Sequence, residues 1–515
     1  IRNQSHLVTT APEGTLRTEL SSVAHSMHEC LPLPEALLAE IHSYLESTIP
    51  AELLNQSRQS EIESLEQFGT FTAMHRAEAG HVISCKWVDT LKAADRSKSR
   101  WVARGFEQKM SGTETHAPTS GGVRLLLALA QTQGLDVASG DVGTAFLHAN
   151  MRPTDTVWVE PPPEWKAAAP GREKQVWRLE KALYGLRDAP RLWAEKLARV
   201  LEGMGLHASP ADPCLWTAQG CSGMETVRVA VHVDDLLAVG KSSQLSQFFD
   251  RLATEVKPKW SFLGPEGTTF LGRRLWWDSR VRRHGICPRA YTQKLVDDLG
   301  WSSLRPSVTL SWKEVSADDE VAVEEVDPET QSLFRMAIGR LMWLTNSCPH
   351  LAWPTRRLAE RAGCARRVDM SRLKSLLRYA LGCGITGSQR VGVSVELSER
   401  VKRSGPTVVV ASDSDYAGCE SRKSTSGWAV WLVVGDQWAL VDTVVRKQTL
   451  IALSVGEAET YAAVGAASDG MYFLEAGFPG YEAHITCSVL RSQLFLYTFP
   501  FFGFVVLLRF SSSFL

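Results

Sequence analysis

The stretch METVRVAVHVDDLLAVG (224–240) is apolar on both sides of two adjacent acids. It predicts a strand, a tight acidic turn at Asp234–Asp235, and a second strand. Two neighbouring carboxylates at such a turn repel each other unless a cation sits between them. A divalent ion relieves that repulsion, and Mg²⁺ takes oxygen ligands from one or two carboxylates plus substrate phosphates. Asp141, in GDVGTAFLHA (140–149), is a third carboxylate that another strand can bring to the same place. Three acids around two ions suit in-line phosphoryl or nucleotidyl transfer. The plainer alternative is an Asp-rich hairpin turn and an Asp that caps a helix. On these residues alone both readings stay open.

On the N-terminal side, HVISCKWV (81–88) and SRWVARGF (99–106) read as two strands joined by a Lys/Arg-bearing turn. Lys92 to Lys109 hold six basic residues against two acids, which makes either a phosphate-binding strand pair or a solvated charged hairpin. GVRLLLALAQTQG (122–134) is helical by its length and Leu/Ala density. TVWVEPPPEW (156–165) is a strand stopped by prolines, and residues 176–205 turn at Gly185 and Pro190 before a helix that ends at Gly. Residues 1–65 read as a linker with a short amphipathic helix around Leu33–Leu45 and no visible chemistry.

On the C-terminal side, residues 313–330 hold eight acids against one Lys and predict an exposed linker. Helices follow over 334–346 and 355–382, where Arg356 to Arg378 carry eight basic residues against two acids. That face either tracks nucleic-acid phosphates or is simply solvated. A βαβ-like block comes next: TVVVASDSDYAG, GWAVWLVV, then a helix through GEAETYAAVGAA (407–467). No internal repeat is evident.

Composition bounds the rest. A chain of 515 residues suggests about three domains. Lys+Arg total 56 and Asp+Glu 57, which excludes a wholesale basic coat and an acidic tail protein but not a local basic groove. With 44% apolar and 22% charged residues, and an unusual 17 Trp, the chain can bury large cores. Ten cysteines lack any CxxC or zinc spacing, which predicts reduced thiols in an intracellular protein. There is no signal peptide, and the start at Ile1 without Met reads as a fragment end. Leu494 to Leu508 is uncharged, but its 15 residues fall short of the roughly 20 that span a bilayer, and Pro500 interrupts it. Spurious or out-of-frame coding is expected there rather than an anchor.

Taken in order, CKWVDTLKAADRSKSRWVARGFEQ, GDVGTAFLHA, VWVEPPPEW, VWRLEKALYGLRDAPRLW, DPCLW, VHVDDLLAVG, FLGRRL, FRMAIGRLMWLT, SDSDYAGCESRKSTSGW and IALSVGEAETYAAV form a series. The chain resembles the reverse transcriptase–ribonuclease H region of copia-type LTR retrotransposon polyproteins over roughly residues 66 to 475. The resemblance implies that Asp141, Asp234 and Asp235 are the palm carboxylates for two Mg²⁺ ions, with Mn²⁺ able to substitute. It implies that Phe146 is the gate against a 2′-OH, and that Arg100 and Arg104, with Lys98, lie near the triphosphate. Tyr184, Gly185 and Arg187 match the segment that supports the templating base and dNTP. Two departures stand out: His232 replaces the usual Tyr before VDD, and Asp188 stands where Gln is usual, bringing negative charge beside a triphosphate or template backbone.

For the nuclease half, the resemblance assigns Asp413 and Glu459 as metal carboxylates, with Asp415 and Glu457 as nearby competitors. The family's third acid lies in a strand where this chain reads HITCSVLRSQLF, with no Asp, and a fourth is missing too. A recognisable but inactive nuclease domain is expected.

The implied fold is α+β: a right-hand polymerase with fingers, palm and thumb, then a helical connection and a partial ribonuclease H-like α/β domain. The expected boundaries are an upstream linker 1–65, polymerase 66–310, acidic linker 311–332, connection 333–400, partial nuclease 401–480 and a divergent hydrophobic tail 481–515. The implied activity is RNA-directed DNA synthesis on an RNA template with a DNA primer and dNTPs. The implied location is a cytoplasmic particle or the nucleus, with no stable membrane partner. The rival reading is a non-catalytic, decayed retroelement fragment that at most binds nucleic acid. A palm-fold cyclase does not account for the nuclease-like block.

Overall fold

Thr119 and Gly134 bracket the helix that the Leu/Ala run predicts. The Thr119 hydroxyl accepts the Gly122 amide at 2.9 Å, and Gly134 closes Ser120–Gln133 in the left-handed conformation at φ 66°. In this computed structural model the described residues are 49–93, 95–108, 119–218, 223–278, 283–287, 289–311, 324–383, 406–417, 422–477, 482–488 and 504–511. The chain divides into two units, Ile1–Thr115 with Val142–Leu201, and His116–Asp141 with Glu202–Leu515.

The first unit contains the expected basic hairpin, Cys85–Ala93 paired antiparallel with Arg96–Ala103. Alternation puts Ser99, Trp101 and Ala103 inside and leaves Lys98 and Arg100 on the other face. Helix Ala51–Gln67 packs on this hairpin, where Ser57 meets Ser99 and Arg58 pairs with Asp89. The boundary expected at residue 65 therefore falls inside a helix, because Leu65 is a core residue. The amphipathic helix expected at Leu33–Leu45 lies outside the described residues. A second, four-stranded sheet combines Phe71–His75, Gln175–Leu179, Trp158–Val159 and Val82–Ile83. The prolines after Val159 do stop that strand, and Pro163–Ala167 turns helical.

The second unit is built on a six-stranded antiparallel sheet. Its order is Lys259–Phe262, Asp136–Asp141, Asp235–Gly240, Arg228–His232, Leu215–Ala218, Leu206–Ala208. Leu236 to Val239 are wholly buried in succession, so both faces of the sheet are covered. One face meets Ser120–Gln133; the other meets Ser242–Ala253, whose Phe249 stacks on Trp260 at 4.6 Å. Gly140 is required there, since a Cβ would stand 2.8 Å from the Phe249 ring.

Helix Arg289–Asp298 shares one core with Pro328–Thr345, Ala352–Ala359 and Arg367–Cys383. The boundaries expected at 310 and 333 thus cut through a packed helical cluster. Asp327 caps the second of these helices and Pro328 opens it, so the helix begins inside the expected linker. Next come Thr407–Ser414, Thr425–Val434 and Gln437–Lys447 as an antiparallel meander, then helix Val455–Gly477. Residues 504–511, which begin inside the Leu494–Leu508 run, form a strand hydrogen-bonded to Thr407–Ser414. Glu482–Ser488 lies at the sheet edge beyond it.

Candidate functional site

Arg228–His232 and Asp235–Gly240 leave Val233 and Asp234 as a two-residue turn, with His232 opposite Asp235. Val233 has φ 51°. A β-branched residue in that region costs on the order of 1–3 kcal/mol and persists only where its surroundings impose it. Both flanking strands are interior strands of the sheet, so the tip carrying Asp234 is held tight. Asp235 opens the return strand and pairs directly with Asp141, the last residue of its own strand. On its other side Asp141 pairs with Lys259. The row Lys259, Asp141, Asp235, His232 therefore crosses four strands on one face.

Asp141 and Lys259 are exposed, whereas Asp234 and Asp235 are half-buried. Burial first, then the charges of Asp234 and Asp141, push the Asp235 carboxyl up to about 6. Among the described residues no three His, Cys, Asp or Glu side chains are grouped closely enough to hold an ion by themselves. The acids form an open row and a turn, and their hard oxygen donors suit a Mg²⁺ ion completed by substrate phosphates.

The basic hairpin and the 183–190 loop are tied together within the other unit. The Ala103 amide donates to the Tyr184 carbonyl at 2.8 Å. Gly185, at φ 83°, comes so close that a Cβ would stand 2.2 Å from the Ala103 carbonyl oxygen. The Arg100 guanidinium lies 5.4 Å over the Tyr184 ring, and Tyr184 meets Phe146 edge-on at 5.8 Å. Lys98 and Arg100 share a strand face, and Arg104 follows at the strand end. Arg187 is held by its amide, which donates to Gln108 Oε1 at 3.0 Å.

Asp188 is 7% exposed and faces inward. It accepts Arg191 at 2.9 Å and Gln108 Nε2 at 3.3 Å. The charge expected beside a triphosphate or template is thus matched locally, and it braces the loop.

Residues 68–310 match the family described as reverse transcriptase (RNA-dependent DNA polymerase). Over that segment the chain is similar to this family. The chain is 26% identical over 433 residues to the retrovirus-related Pol polyprotein from transposon TNT 1-94 of Nicotiana tabacum, covering 80% of this chain and 30% of that protein. It is 27% identical over 373 residues to the corresponding polyprotein from transposon RE1 of Arabidopsis thaliana, covering 68% of this chain and 23% of that protein. The chain thus spans less than a third of the length of these relatives, which agree with the copia-type resemblance. A foamy viral protease–reverse transcriptase in complex with double-stranded DNA matches with a TM-score of 0.47 and 13% identity, over 82% of this chain and 61% of that one.

Beyond residues 68–310, Asp413 stands next to last in the Thr407–Ser414 strand and meets Glu459 from helix Val455–Gly477. Burial raises both carboxyls; the Glu459 charge raises Asp413 further, whereas the hydrogen bond from Asp413 and those from Ser414 partly offset the rise at Glu459. The competitors have local duties: Asp415 accepts the Thr425 amide, and Glu457 accepts the Leu453 amide at 2.7 Å and the Tyr461 hydroxyl at 3.1 Å.

The basic helices serve the fold more than their composition suggests. Arg357 pairs with Glu360, Arg366 and Arg372 with Asp369, and Arg367 with Glu324. Arg378 donates to the Arg305 carbonyl, and Lys374 lies over Trp301. No described helix is long and apolar enough to cross a membrane.

Lys259 is the site residue that sequence reasoning missed. KPKWSF carries no motif by itself; only the register with Asp141 brings it into the row.

Proposed function

We propose that the chain performs RNA-directed DNA synthesis as part of a transposon Pol polyprotein, with Asp141, Asp234 and Asp235 as its palm carboxylates. The observation that carries this reading is the direct pairing of Asp141 with Asp235 beside the strained turn at Asp234, inside a segment similar to the reverse transcriptase family. These three residues would hold Mg²⁺, or Mn²⁺ in its place. When bound, divalent ions supply charge neutralisation for the attacking 3′-oxygen and the pyrophosphate leaving group. Lys259 keeps a positive charge next to Asp141. Lys98, Arg100 and Arg104 bind triphosphate oxygens by charge-assisted hydrogen bonds. Phe146, braced by Tyr184, fills the space a 2′-OH would need, while Gly185 and Arg187 line the template side. The substrates are an RNA template, a DNA primer and dNTPs.

The nuclease-like block does not cleave in this reading. Among the described residues no third His, Cys, Asp or Glu is grouped closely enough with Asp413 and Glu459 to hold an ion, which supports it.

The test is incorporation of dTTP on poly(rA)/oligo(dT) by the full chain in Mg²⁺ and, separately, Mn²⁺. Incorporation lost in Asp234→Asn supports the assignment. A folded chain with no incorporation in either ion favours the decayed-element reading. Phe146→Val should raise rNTP use relative to dNTP, and an unchanged ratio would remove Phe146 from the sugar.

A further inference from the structure

Helix Ser120–Gln133 is buried on every side over residues 121–130. Val123 and Leu125 to Ala130 are buried without interruption, so the helix needs cover on both sides. The reverse transcriptase sheet supplies one side through Leu215, Ala230, Val137, Leu237 and Val239. The other side comes from far along the chain. Val410, Val430, Leu432 and Val441 of the nuclease-like sheet, with Phe473 and Leu474 of its helix, complete the same core.

The polar contacts across this seam are specific. The Arg124 guanidinium is buried and donates to Asp442 and, at 2.6 Å, to the Asn346 carbonyl. Gln131 donates to the Trp438 carbonyl at 3.0 Å. The Tyr472 hydroxyl donates to Asp212 at 2.9 Å and lies 3.0 Å from the Thr119 hydroxyl, the cap of the helix. At Gly121 a Cβ would stand 2.5 Å from the Phe473 ring, so the first turn is shaped to this neighbour. A buried guanidinium–carboxylate pair is costly to leave half-made, and each of these groups needs the other.

We propose that residues 407–477 act as the structural partner of the polymerase segment, holding the Ser120–Gln133 helix and, through it, the strand that carries Asp141. The block's duty is then to the polymerase, whatever its own acids do. That the held strand is catalytic rests on the polymerase reading; that it is held does not.

The experiment uses the full chain and needs no activity. Thermal melting and amide hydrogen exchange are compared for the native sequence, Asp442→Ala and the paired variant Arg124→Met/Asp442→Leu. Asp442→Ala should lower the melting temperature by about 5 °C. It should also speed exchange of the 120–133 and 136–141 amides at least about tenfold, although these lie some 300 residues away in sequence. The paired apolar variant should restore both readouts, and it decides the matter if Asp442→Ala does not fold. Faster exchange confined to 407–477, with 120–141 unchanged, would overturn the proposal. Chains that melt as proposed yet never incorporate dNTPs would instead count against the polymerase reading alone.

Discussion

The molecule carries two clusters of facing carboxylates, and they relieve the same repulsion differently. At Asp141 and Asp235 the acids lie on paired strand ends beside an exposed Lys259, with Asp234 at a strained tip. At Asp413 and Glu459 the two carboxyls hydrogen-bond to each other. The first arrangement leaves charge open to neutralisation from outside, in the proposed reading by a cation and a triphosphate. At the second, burial raises both carboxyls and each acid has the other as its neighbour. Acid pairs of similar composition therefore differ in chemistry according to whether the partner is an ion or a neighbour.

The largest test of that contrast compares amide substitutions at the two clusters. Asp141→Asn or Asp234→Asn should reduce dNTP incorporation by at least about 100-fold, while Asp413→Asn or Glu459→Gln should leave it within about twofold. Equal losses would erase the distinction. Next, the native chain should not cut the RNA of an RNA–DNA hybrid in Mg²⁺ or Mn²⁺, since two acids cannot supply the several kcal/mol that a two-ion site contributes. Cleavage that disappears in Asp413→Asn would mean that a further acid completes the second cluster.

A smaller effect concerns pH. The Asp235 carboxyl titrates near 6 in the fold and about 3.9 when unfolded. Its contribution to stability is complete below about 3.9 and is lost as pH rises through about 6. Because this group is half-exposed, screening reduces the effect to about 1 kcal/mol. Metal-free chain should gain stability in Asp235→Asn at pH 8 but not at pH 4, read by thermal melting. Mg²⁺ should stabilise the native chain progressively as pH passes 6, and a flat response would break the assignment. The smallest change is at Lys259. Lys259→Met should lower incorporation by about fivefold or less, since an exposed charge is strongly screened. A loss as large as that of Asp141→Asn would make Lys259 a full partner in the chemistry.

Local patterns told most about local structure. The turn at Asp234, the basic hairpin and the Leu/Ala helix were all legible because period, turn residues and caps lie within a few positions of each other. What stayed hidden depends on register between distant segments. Lys259 is found only by pairing with Asp141, and Asp188 reads as an intrusive charge until Gln108 and Arg191 are seen to receive it. Leu65 looked like part of a linker because the Arg96–Ala103 strand on which its helix packs begins some 30 residues on. Arg124 and Asp442 carry no mark in the sequence of being a pair, yet burial makes each necessary to the other.

The seam at Ser120–Gln133 also has a consequence for biosynthesis. About 340 residues separate the end of that helix from the end of the block that covers it. At roughly 5–20 residues per second, the ribosome leaves the helix waiting on the order of 20 to 70 s for its second wall. For that interval an unbroken apolar surface stands open on the nascent chain. Its yield as folded protein should therefore depend on the rate of translation and on chaperones that shield the leucines until Phe473 has been made.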